Sequence, residues 1–422
     1  LGQTMSDFDS RASQRSQRLR SLCGGADLAR PVAASTVSFV GVTSSRLGSD
    51  SGLHHRVGRF LQRSLIDCTQ RGAELLVASG SAIEPWAHRA AELFGVPCRR
   101  LAIDAGTSRE RARAEATRTP DLLVVPQSDV VVSVDAALIA LSDRVDAVYV
   151  RRGGLIARQL RSRLKLDTTA SVRVAATRTK HCDARGLIEA GAIGWYDPGI
   201  ESWDEAAKCS AKRKQRFTAE DPADPLWSSP HGQWLIHCTR APHGKWPGET
   251  QRQYLDSILL GGPSHAQRGA FDSLVRIVRC GRLLAAARTS NHRFPVVCFS
   301  ALSLRQLLEK RCFRQHLGRW DYEPHGVAIR MDAARAIGIR PVIYGEMTDR
   351  LILAEEDRFR FHPRGTRFDW TQECEWRSPS NIDLLALDPR DVRIFTLGGL
   401  KERRLLDTCP WPISMLRWFD PH

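Results

Sequence analysis

Two carboxylates near the carboxyl-terminal end of the chain have a spacing suited to chemistry. Residues 373–377 read Glu-Cys-Glu-Trp-Arg, and an extended backbone puts Glu373 and Glu375 on one face and Trp376 on the other. Like charges on one face repel each other, which raises the pKa of one carboxyl group. A pair of this kind is useful in catalysis, so both glutamates are candidate catalytic residues.

Two apolar runs in the same half of the chain end in polar residues. The run 234–238 leads to His237 and then Arg240, and the run 296–300 closes on the hydroxyl of Ser300. A Cys238 nucleophile activated by His237 is set aside, because adjacent residues of a strand point to opposite faces. The spacings of the histidines and cysteines fit no compact tetrahedral site, so no metal is expected.

Three turns of small residues in the first half of the chain can hold phosphate. The candidate nucleotide- or phosphate-binding residues in these turns are Gly41, Ser44, Arg46, Ser79, Gly80, Gly153 and Gly154. In a doubly wound sheet, turns of this kind lie at the carboxyl ends of strands and lead into helix N-termini, which attract phosphate. Small residues also serve plain tight turns, so the prediction rests on the three turns together.

The pattern of apolar residues predicts the elements that position these groups. The predicted elements of the first half are strands at 36–42, 74–78, 98–103, 121–125 and 147–150 and helices at 53–70 and 85–94. Such alternation is typical of an α/β fold with a doubly wound parallel sheet. The strand-like runs of the second half, at 234–238, 294–299, 326–330 and 341–344, are irregularly spaced. With helices at 271–280 and 302–310, they favour an α+β domain with a mixed sheet.

The length of 422 residues predicts two or three domains, at about 150 residues each. We expect a flexible basic arm over residues 1–34, because this stretch is rich in Ser and Arg and poor in apolar residues. A Rossmann-like domain is expected over 35–194, a linker over 195–231 and an α+β domain over 232–422.

The charge of the chain favours an anionic partner. Lys and Arg number 62 against 47 acidic residues, which gives a net charge of +15. Such a field attracts nucleic acid, nucleotides or a phosphate-rich cofactor, although a composition that replaces Lys by Arg is an alternative explanation. The 11 cysteines form no CxxC pair, which argues against a zinc ribbon and a disulfide framework. No window approaches about 18 apolar residues without a charge, so we expect a cytosolic protein without a membrane span.

Part of the first half resembles a known group of domains. Gly41, Ser44 and Arg46, together with the stretches 78–82 (ASGSA) and 87–91 (AHRAA), resemble the DprA and SLOG group of Rossmann-like domains. The resemblance covers residues 36–165 and implies binding of single-stranded DNA or a nucleotide-derived ligand. The later glycine-rich loop of that group is replaced here by Pro-Gln-Ser-Asp at 126–129, so phosphate binding is not expected there.

The polar strand ends of the second half resemble the ADP-ribosyltransferase fold. This resemblance implies that His237 holds NAD, that Ser300 shapes the nicotinamide pocket and that Glu375 stabilises the charge developing as nicotinamide leaves. Glu373 then orients the acceptor. The physical basis is that a fixed carboxylate stabilises the positive charge formed when a glycosidic bond breaks.

Further cofactor contacts follow from the same resemblance. Arg240 and Arg288 are expected to clamp the pyrophosphate of NAD, and Tyr322 to line the pocket. The stretches 318–329 and 342–345 also look like a domain of abortive-infection (AbiGi-like) proteins, which covers residues 232–385. That family adds a defence role to the expectation.

Two hypotheses of different classes therefore stand. In the first, a nucleotide- or nucleic-acid-sensing domain is joined to a domain that uses NAD, as a phage-defence effector. In the second, the protein is a non-catalytic DNA- or RNA-binding protein of the DprA type. The alternative to the catalytic roles is that Glu375 and Arg377 form surface pairs across a sheet and that His237 caps a strand. The sequence does not fix the oligomeric state.

Overall fold

The computed structural model describes most of the chain. The described residues are 5–24, 35–104, 122–126, 132–167, 171–176, 181–195, 216–218, 227, 233–242, 244–261, 268–287, 294–314, 319–365, 369–399, 405 and 407–419. The chain divides into two compact units, the first comprising residues 1–203 and 250–266 and the second residues 204–249 and 267–422. Arg288 lies outside the described residues.

The first unit is built on a parallel sheet of seven strands among the described residues. The strands are β1 (Phe39–Thr43), β2 (Glu74–Ala78), β3 (Cys98–Asp104), β4 (Leu122–Pro126), β5 (Arg144–Ala147), β6 (Val172–Ala175) and β7 (Ile193–Trp195). Their order across the sheet is β4-β3-β2-β1-β5-β6-β7. Every strand pair is parallel, as expected for strands connected through helices.

Seven helices of the described residues belong to the first unit. They are α1 (Met5–Cys23), α2 (Ser51–Arg71), α3 (Glu84–Phe94), α4 (Val134–Leu141), α5 (Leu155–Leu166), α6 (Ala184–Glu189) and α7 (Gln251–Leu259). Local signals set their ends: the Asp50 side chain accepts hydrogen bonds from Gly52 and Leu53 at the start of α2, and Gly72 closes that helix in the left-handed conformation at φ 61°. Two apolar cores form, one on each face of the sheet.

The second unit contains a mixed sheet of eight strands in the described part of the chain. The strands of this unit are β8 (Arg216–Thr218), β9 (Trp234–Cys238), β10 (Arg282–Leu283), β11 (Val297–Ser300), β12 (Phe313–Arg314), β13 (Arg319–Trp320), β14 (Gly326–Arg330), β15 (Arg340–Pro341), β16 (Ile343–Gly345), β17 (Phe361–Pro363), β18 (Glu375–Ser378), β19 (Ile382–Asp383), β20 (Val392–Leu397) and β21 (Ile413–Phe419). The large sheet has the order β15-β18-β11-β9-β14-β20-β21-β8. Its helices are α8 (Ala270–Cys280), α9 (Leu304–Glu309), α10 (Met331–Ala336) and α11 (Asp349–Ile352). The fold class expected from the sequence, a doubly wound parallel sheet followed by a mixed sheet, is confirmed.

The amino-terminal segment differs from the expected flexible arm. Residues 5–23 form α1, whose Leu19 and Cys23 are buried in the core under the parallel sheet. Arg15 is fully buried and forms a two-pronged ion pair with Asp143, at 2.9 and 2.6 Å. The low apolar content of the segment was misleading, because Arg15 and Arg18 are buried and donate to Asp143, Asp167 and backbone carbonyl groups.

The division into units also differs from the expected boundaries. Helix α7 belongs to the first unit, where Arg89 of α3 donates to both carboxylate oxygens of Asp256, at 2.5 and 2.9 Å. Part of the expected linker, β8, pairs antiparallel with β21 in the second unit. Neither assignment has a local sequence signal, because both depend on contacts between distant parts of the chain.

Candidate functional site

The strand order of the first unit creates a crevice at one edge of the sheet. From β1 the chain proceeds outward through β2, β3 and β4, and then returns to place β5 on the other side of β1. The connections on the two sides therefore diverge between the carboxyl ends of β1 and β5. Open α/β sheets bind ligands at this topological switch point.

The loops after β1 and β5 are hydrogen-bonded to each other at this crevice. The backbone N–H of Ser45 donates to the carbonyl of Tyr149 at 2.7 Å, and the N–H of Arg151 donates to Ser45 Oγ at 3.0 Å. Ser44 Oγ donates to the carbonyl oxygens of Ser45 and Tyr149, at 2.9 and 3.3 Å. The two loops therefore form one continuous rim, which we call the switch-point rim (residues 44–46 and 149–154).

Three arginines of the switch-point rim are exposed. Arg46, Arg151 and Arg152 each present the side chain to solvent, and none forms an ion pair with a carboxylate of the described residues. An arginine in this state keeps its guanidinium available for an anionic ligand. The rim therefore carries positive charge that the described chain does not neutralise.

The end of the rim leads into helix α5. Gly153 has a φ of 71°, a left-handed conformation that favours glycine. Gly154 is the N-cap of α5, and without a side chain it makes no cap hydrogen bond. The first N–H groups of α5 thus remain available, together with the positive end of the helix dipole.

A carboxyl group lies next to the residue that precedes the rim. Asp135, in the first turn of α4, is half-buried, and its Oδ1 accepts a hydrogen bond from Thr43 Oγ1 at 3.2 Å. Thr43 is the last residue of β1 and is followed directly by the rim residue Ser44. Burial raises the pKa of Asp135, and the hydrogen bond from Thr43 opposes that shift.

Three of the expected phosphate-binding residues, Gly41, Ser79 and Gly80, lie outside the switch-point rim. Gly41 is an interior residue of β1 rather than a turn, and a Cβ there would lie 2.1 Å from Ser142 Oγ, so the glycine allows α4 to pack closely. The turn at Ser79 and Gly80 follows β2, and the N–H of Gly80 donates to the Glu84 carboxylate at 2.6 Å. A negative side chain thus takes the place that a phosphate needs.

The second unit brings three of the expected catalytic residues together. Ser300 of β11 is opposite Glu375 of β18 in the antiparallel register. Ser300 Oγ donates to the backbone carbonyl of Glu373 at 2.6 Å and accepts from the N–H of Leu302 at 3.1 Å. The hydroxyl therefore anchors the backbone before β18.

The charge of Glu375 is neutralised within the unit. Arg377 donates from Nε and Nη2 to the two carboxylate oxygens of Glu375, each at 3.0 Å. Arg377 is 2% exposed, and its Nη1 also donates to the carbonyl groups of Phe359 and Phe361. This ion pair is the alternative that the sequence left open, although it is buried rather than on the surface.

Glu373 is in a different environment. It accepts a hydrogen bond from the Tyr322 hydroxyl, and burial raises its pKa, which Tyr322 and Arg240 oppose. Burial and the nearby Glu373 raise the pKa of Tyr322. Tyr322 (φ 53°) and Cys374 (φ 46°) are the non-glycine residues with positive φ in the described part of the chain. Backbone strain of this kind clusters at functional sites.

His237 lies on the other side of the sheet from these groups. Its ring packs against Phe299 at 5.6 Å, on the face where Phe299 joins a buried core. Ser300 is opposite Ile236, which contributes to the core of the other face, and Glu375 shares that face with Ser300. His237 Nδ1 lies 2.8 Å from the carbonyl oxygen of Cys298, and burial lowers the pKa of the imidazole.

The arrangement does not fit the NAD-binding roles implied by the ADP-ribosyltransferase resemblance. Those roles require His237, Ser300 and Glu375 to face one cleft and require Glu375 to supply uncompensated charge. The structure separates His237 from the other two and pairs Glu375 with Arg377. Tyr322 and Arg240 lie near Glu373 instead.

No protein-family model matches the chain, and no curated protein matches it. DNA processing protein A (DprA) from Streptococcus pneumoniae is similar in structure, with a TM-score of 0.27 and 16% identity over 39% of this chain and 60% of that one. DprA from Helicobacter pylori, a protein with a single-stranded DNA binding mode, gives a TM-score of 0.27 and 14% identity over 41% of this chain and 81% of that one. The chain thus spans less than two thirds of the first of these structures, and similarity at this level does not decide function.

Sequence reasoning missed two features of the switch-point rim. Arg151 lies one residue before the predicted turn at 152–154. The sequence predicts the preceding strand at 147–150, whereas β5 spans Arg144–Ala147. The sequence does contain a signal that could have identified Asp135. Ser133 is the N-cap of α4, and its side chain accepts a hydrogen bond from the N–H of Ala136. The residues Ser-Val-Asp at 133–135 therefore mark the start of a helix after a strand. A helix that starts there places its first turn at the carboxyl edge of the sheet.

Proposed function

We propose that this protein binds a phosphate-bearing ligand, a single-stranded nucleic acid or a nucleotide, at the switch-point rim. The observation that carries the proposal is that Arg46, Arg151 and Arg152 are exposed and lack carboxylate partners among the described residues, on two loops that are bonded together. The rim lies where doubly wound sheets bind their ligands, and an uncapped helix start adds further donors.

The distribution of charge supports this proposal. The chain carries a net charge of +15, but several arginines of the first unit are committed internally. Arg15 pairs with Asp143 and Arg163 pairs with Asp167, and both arginines are fully buried. The exposed arginines of the rim therefore contribute strongly to the field that an approaching polyanion meets.

The proposal is tested by removing two rim charges and measuring salt dependence. In Arg151→Ala/Arg152→Ala, we expect affinity for a fluorescently labelled single strand to fall at least about tenfold at physiological salt. The slope of log affinity against log salt should become shallower by about 1.4, since each phosphate contact on a single strand contributes about 0.7. Fluorescence anisotropy over a salt series measures both quantities, and ATP competition tests a free nucleotide.

A matched control comes from exposed arginines that have partners. Arg71→Ala/Arg185→Ala removes the same charge from the same unit, but Arg71 pairs with Asp67 and Arg185 with Glu189. These changes should leave the affinity for the labelled strand within about twofold of the wild type, because a neighbouring carboxylate already offsets the charge of each arginine. Equal losses in the two double variants, or absence of salt-dependent binding in the wild type, would overturn the proposal.

The proposal does not extend to transfer from NAD or to a defence role. Glu375 is neutralised by Arg377, and His237 lies on the opposite face of the sheet. Burial raises the pKa of Glu373, but no second described group completes a reaction there.

A further inference from the structure

Asp135 is an acidic group that is hydrogen-bonded to Thr43, the residue directly before the switch-point rim. Among the described residues, Thr43 supplies the one hydrogen bond to its side chain, and no arginine or lysine pairs with it. A half-buried carboxylate with a single donor from the protein keeps acceptor positions for solvent or for a ligand, because an ionised carboxylate has about four of them. The group therefore gains from a ligand that brings further donors.

The charge around Asp135 also restricts what can contact it. A phosphate is an anion without donors, so it is repelled by the carboxylate and attracted by the arginines of the rim. The phosphate of a ligand is thus directed to the rim, and the part of the ligand that meets Asp135 has to be neutral and carry N–H or O–H groups.

The position of Thr43, directly before the rim in the sequence, indicates which part of the ligand contacts Asp135. Thr43 holds the carboxylate, and the next residue, Ser44, begins the switch-point rim. The group beside Asp135 is therefore close to the phosphate. In a nucleotide the sugar is attached directly to the phosphate, and its hydroxyl groups are donors that a carboxylate accepts.

We infer that Asp135 accepts a hydrogen bond from the ribose 2′-hydroxyl of the bound ligand, so that the crevice prefers ribonucleotides and RNA to their 2′-deoxy counterparts. The inference rests on the proposed function, since it assumes that phosphate binds at the rim. The 2′-hydroxyl is the group by which a protein distinguishes RNA from DNA at a given position.

The test compares ligands that differ in the 2′-hydroxyl alone. Short riboadenylate and deoxyriboadenylate single strands of equal length, and ATP against 2′-deoxyATP, are titrated against the full chain. In the wild type we expect the ribose form to bind about tenfold more tightly, as for one hydrogen bond to a charged group. In Asp135→Asn the preference should fall below about twofold, mainly through weaker binding of the ribose form.

A second variant and a control keep the test independent of folding. Thr43→Val removes the hydroxyl that orients Asp135 at nearly constant volume, and it should reduce the preference while rim binding persists. Asp50→Asn removes a charge near the same loops but preserves the N-cap of α2, so it should change both affinities equally.

The outcomes separate the inference from the proposed function. Salt-dependent binding without a ribose preference in the wild type overturns the inference and leaves the proposed function in place. A ribose preference that survives Asp135→Asn also overturns it, because another group then reads the hydroxyl. Absence of binding of every ligand overturns both.

Discussion

The switch-point rim of the first unit and the carboxylate cluster of the second unit use arginine in opposite ways. Arg46, Arg151 and Arg152 are exposed on loops and have no ion-pair partner among the described residues. Arg377 is buried, and both oxygens of Glu375 accept from it. An arginine whose charge is matched inside the fold stabilises that fold, whereas an unmatched one on a rim is available to a ligand. Sequence alone does not separate the two classes.

The largest expected effect is on the stability of the second unit. Arg377→Met leaves Glu375 without its partner in a partly buried position, and we expect the free energy of unfolding to fall by about 3–5 kcal/mol. Thermal and denaturant unfolding of the full chain measure this. In Arg377→Met/Glu375→Leu the stability should largely return, because no unpaired charge is then left. If Arg377→Met were as stable as the wild type, the ion pair between Arg377 and Glu375 would not stabilise the fold. The contrast between the buried and the exposed arginines would then be wrong.

A smaller effect is expected from acid. Burial lowers the pKa of His325 from its ordinary value of 6.5 to about 4, and Arg311 adds to the shift. Between those values the unfolded chain takes up a proton that the native chain does not, so stability falls as pH decreases from 6.5 towards 4. The full loss is about 3 kcal/mol for one group.

Calorimetry of the full chain at pH 7 and pH 4.5 measures this loss. His325→Gln should remove this part of the pH dependence, since glutamine does not titrate. In the wild type, Nδ1 of His325 lies 2.8 Å from the hydroxyl oxygen of Thr396, and the glutamine side chain can still form a hydrogen bond with that hydroxyl. An unchanged pH dependence in the variant would assign the acid sensitivity to other groups.

The smallest expected effect concerns the turn after β2. If the Glu84 carboxylate keeps phosphate away from Gly80, this turn is not part of the interface, and Glu84→Gln should change affinity for a labelled single strand by less than about twofold. Arg151→Ala/Arg152→Ala, measured in the same titration, provides the scale. If Glu84→Gln instead raised the affinity by as much as the double arginine variant lowers it, the turn would belong to the binding interface. The interface would then extend beyond the switch-point rim.

The fold could be predicted where a local signal was strong. Strands Glu74–Ala78 and Trp234–Cys238 were predicted at their observed bounds, because each is a short apolar run between polar or glycine-containing segments. Strand β5 was displaced to 147–150, because Arg144 and Asp146 interrupt its apolar pattern. In the fold these two side chains pair with each other at 2.9 Å, so both are buried in the strand.

The candidate sites were less predictable, because their properties depend on which face a residue occupies and on what it pairs with. Ser300, Glu373 and Glu375 were expected together and lie together, since sheet pairing aligns β11 with β18. His237 was expected with them, but a one-residue difference in register places it on the other face. The distinction between Arg15, which is buried, and Arg151, which is exposed, likewise requires the tertiary structure.

Helix α1 ties the start of the chain to the turn that precedes β5. The side chain of Arg15 forms an ion pair with Asp143, and the side chain of Arg18 donates to the carbonyl of Ala140. Helix α1 therefore packs against the end of α4, directly before β5. The loop that follows β5 forms half of the rim. If undocking of α1 displaces β5, and if the proposed ligand binds better to the docked form, then docking and binding favour each other by the same coupling free energy. Cleavage within residues 5–23 by a protease would then become slower when the ligand binds at the rim.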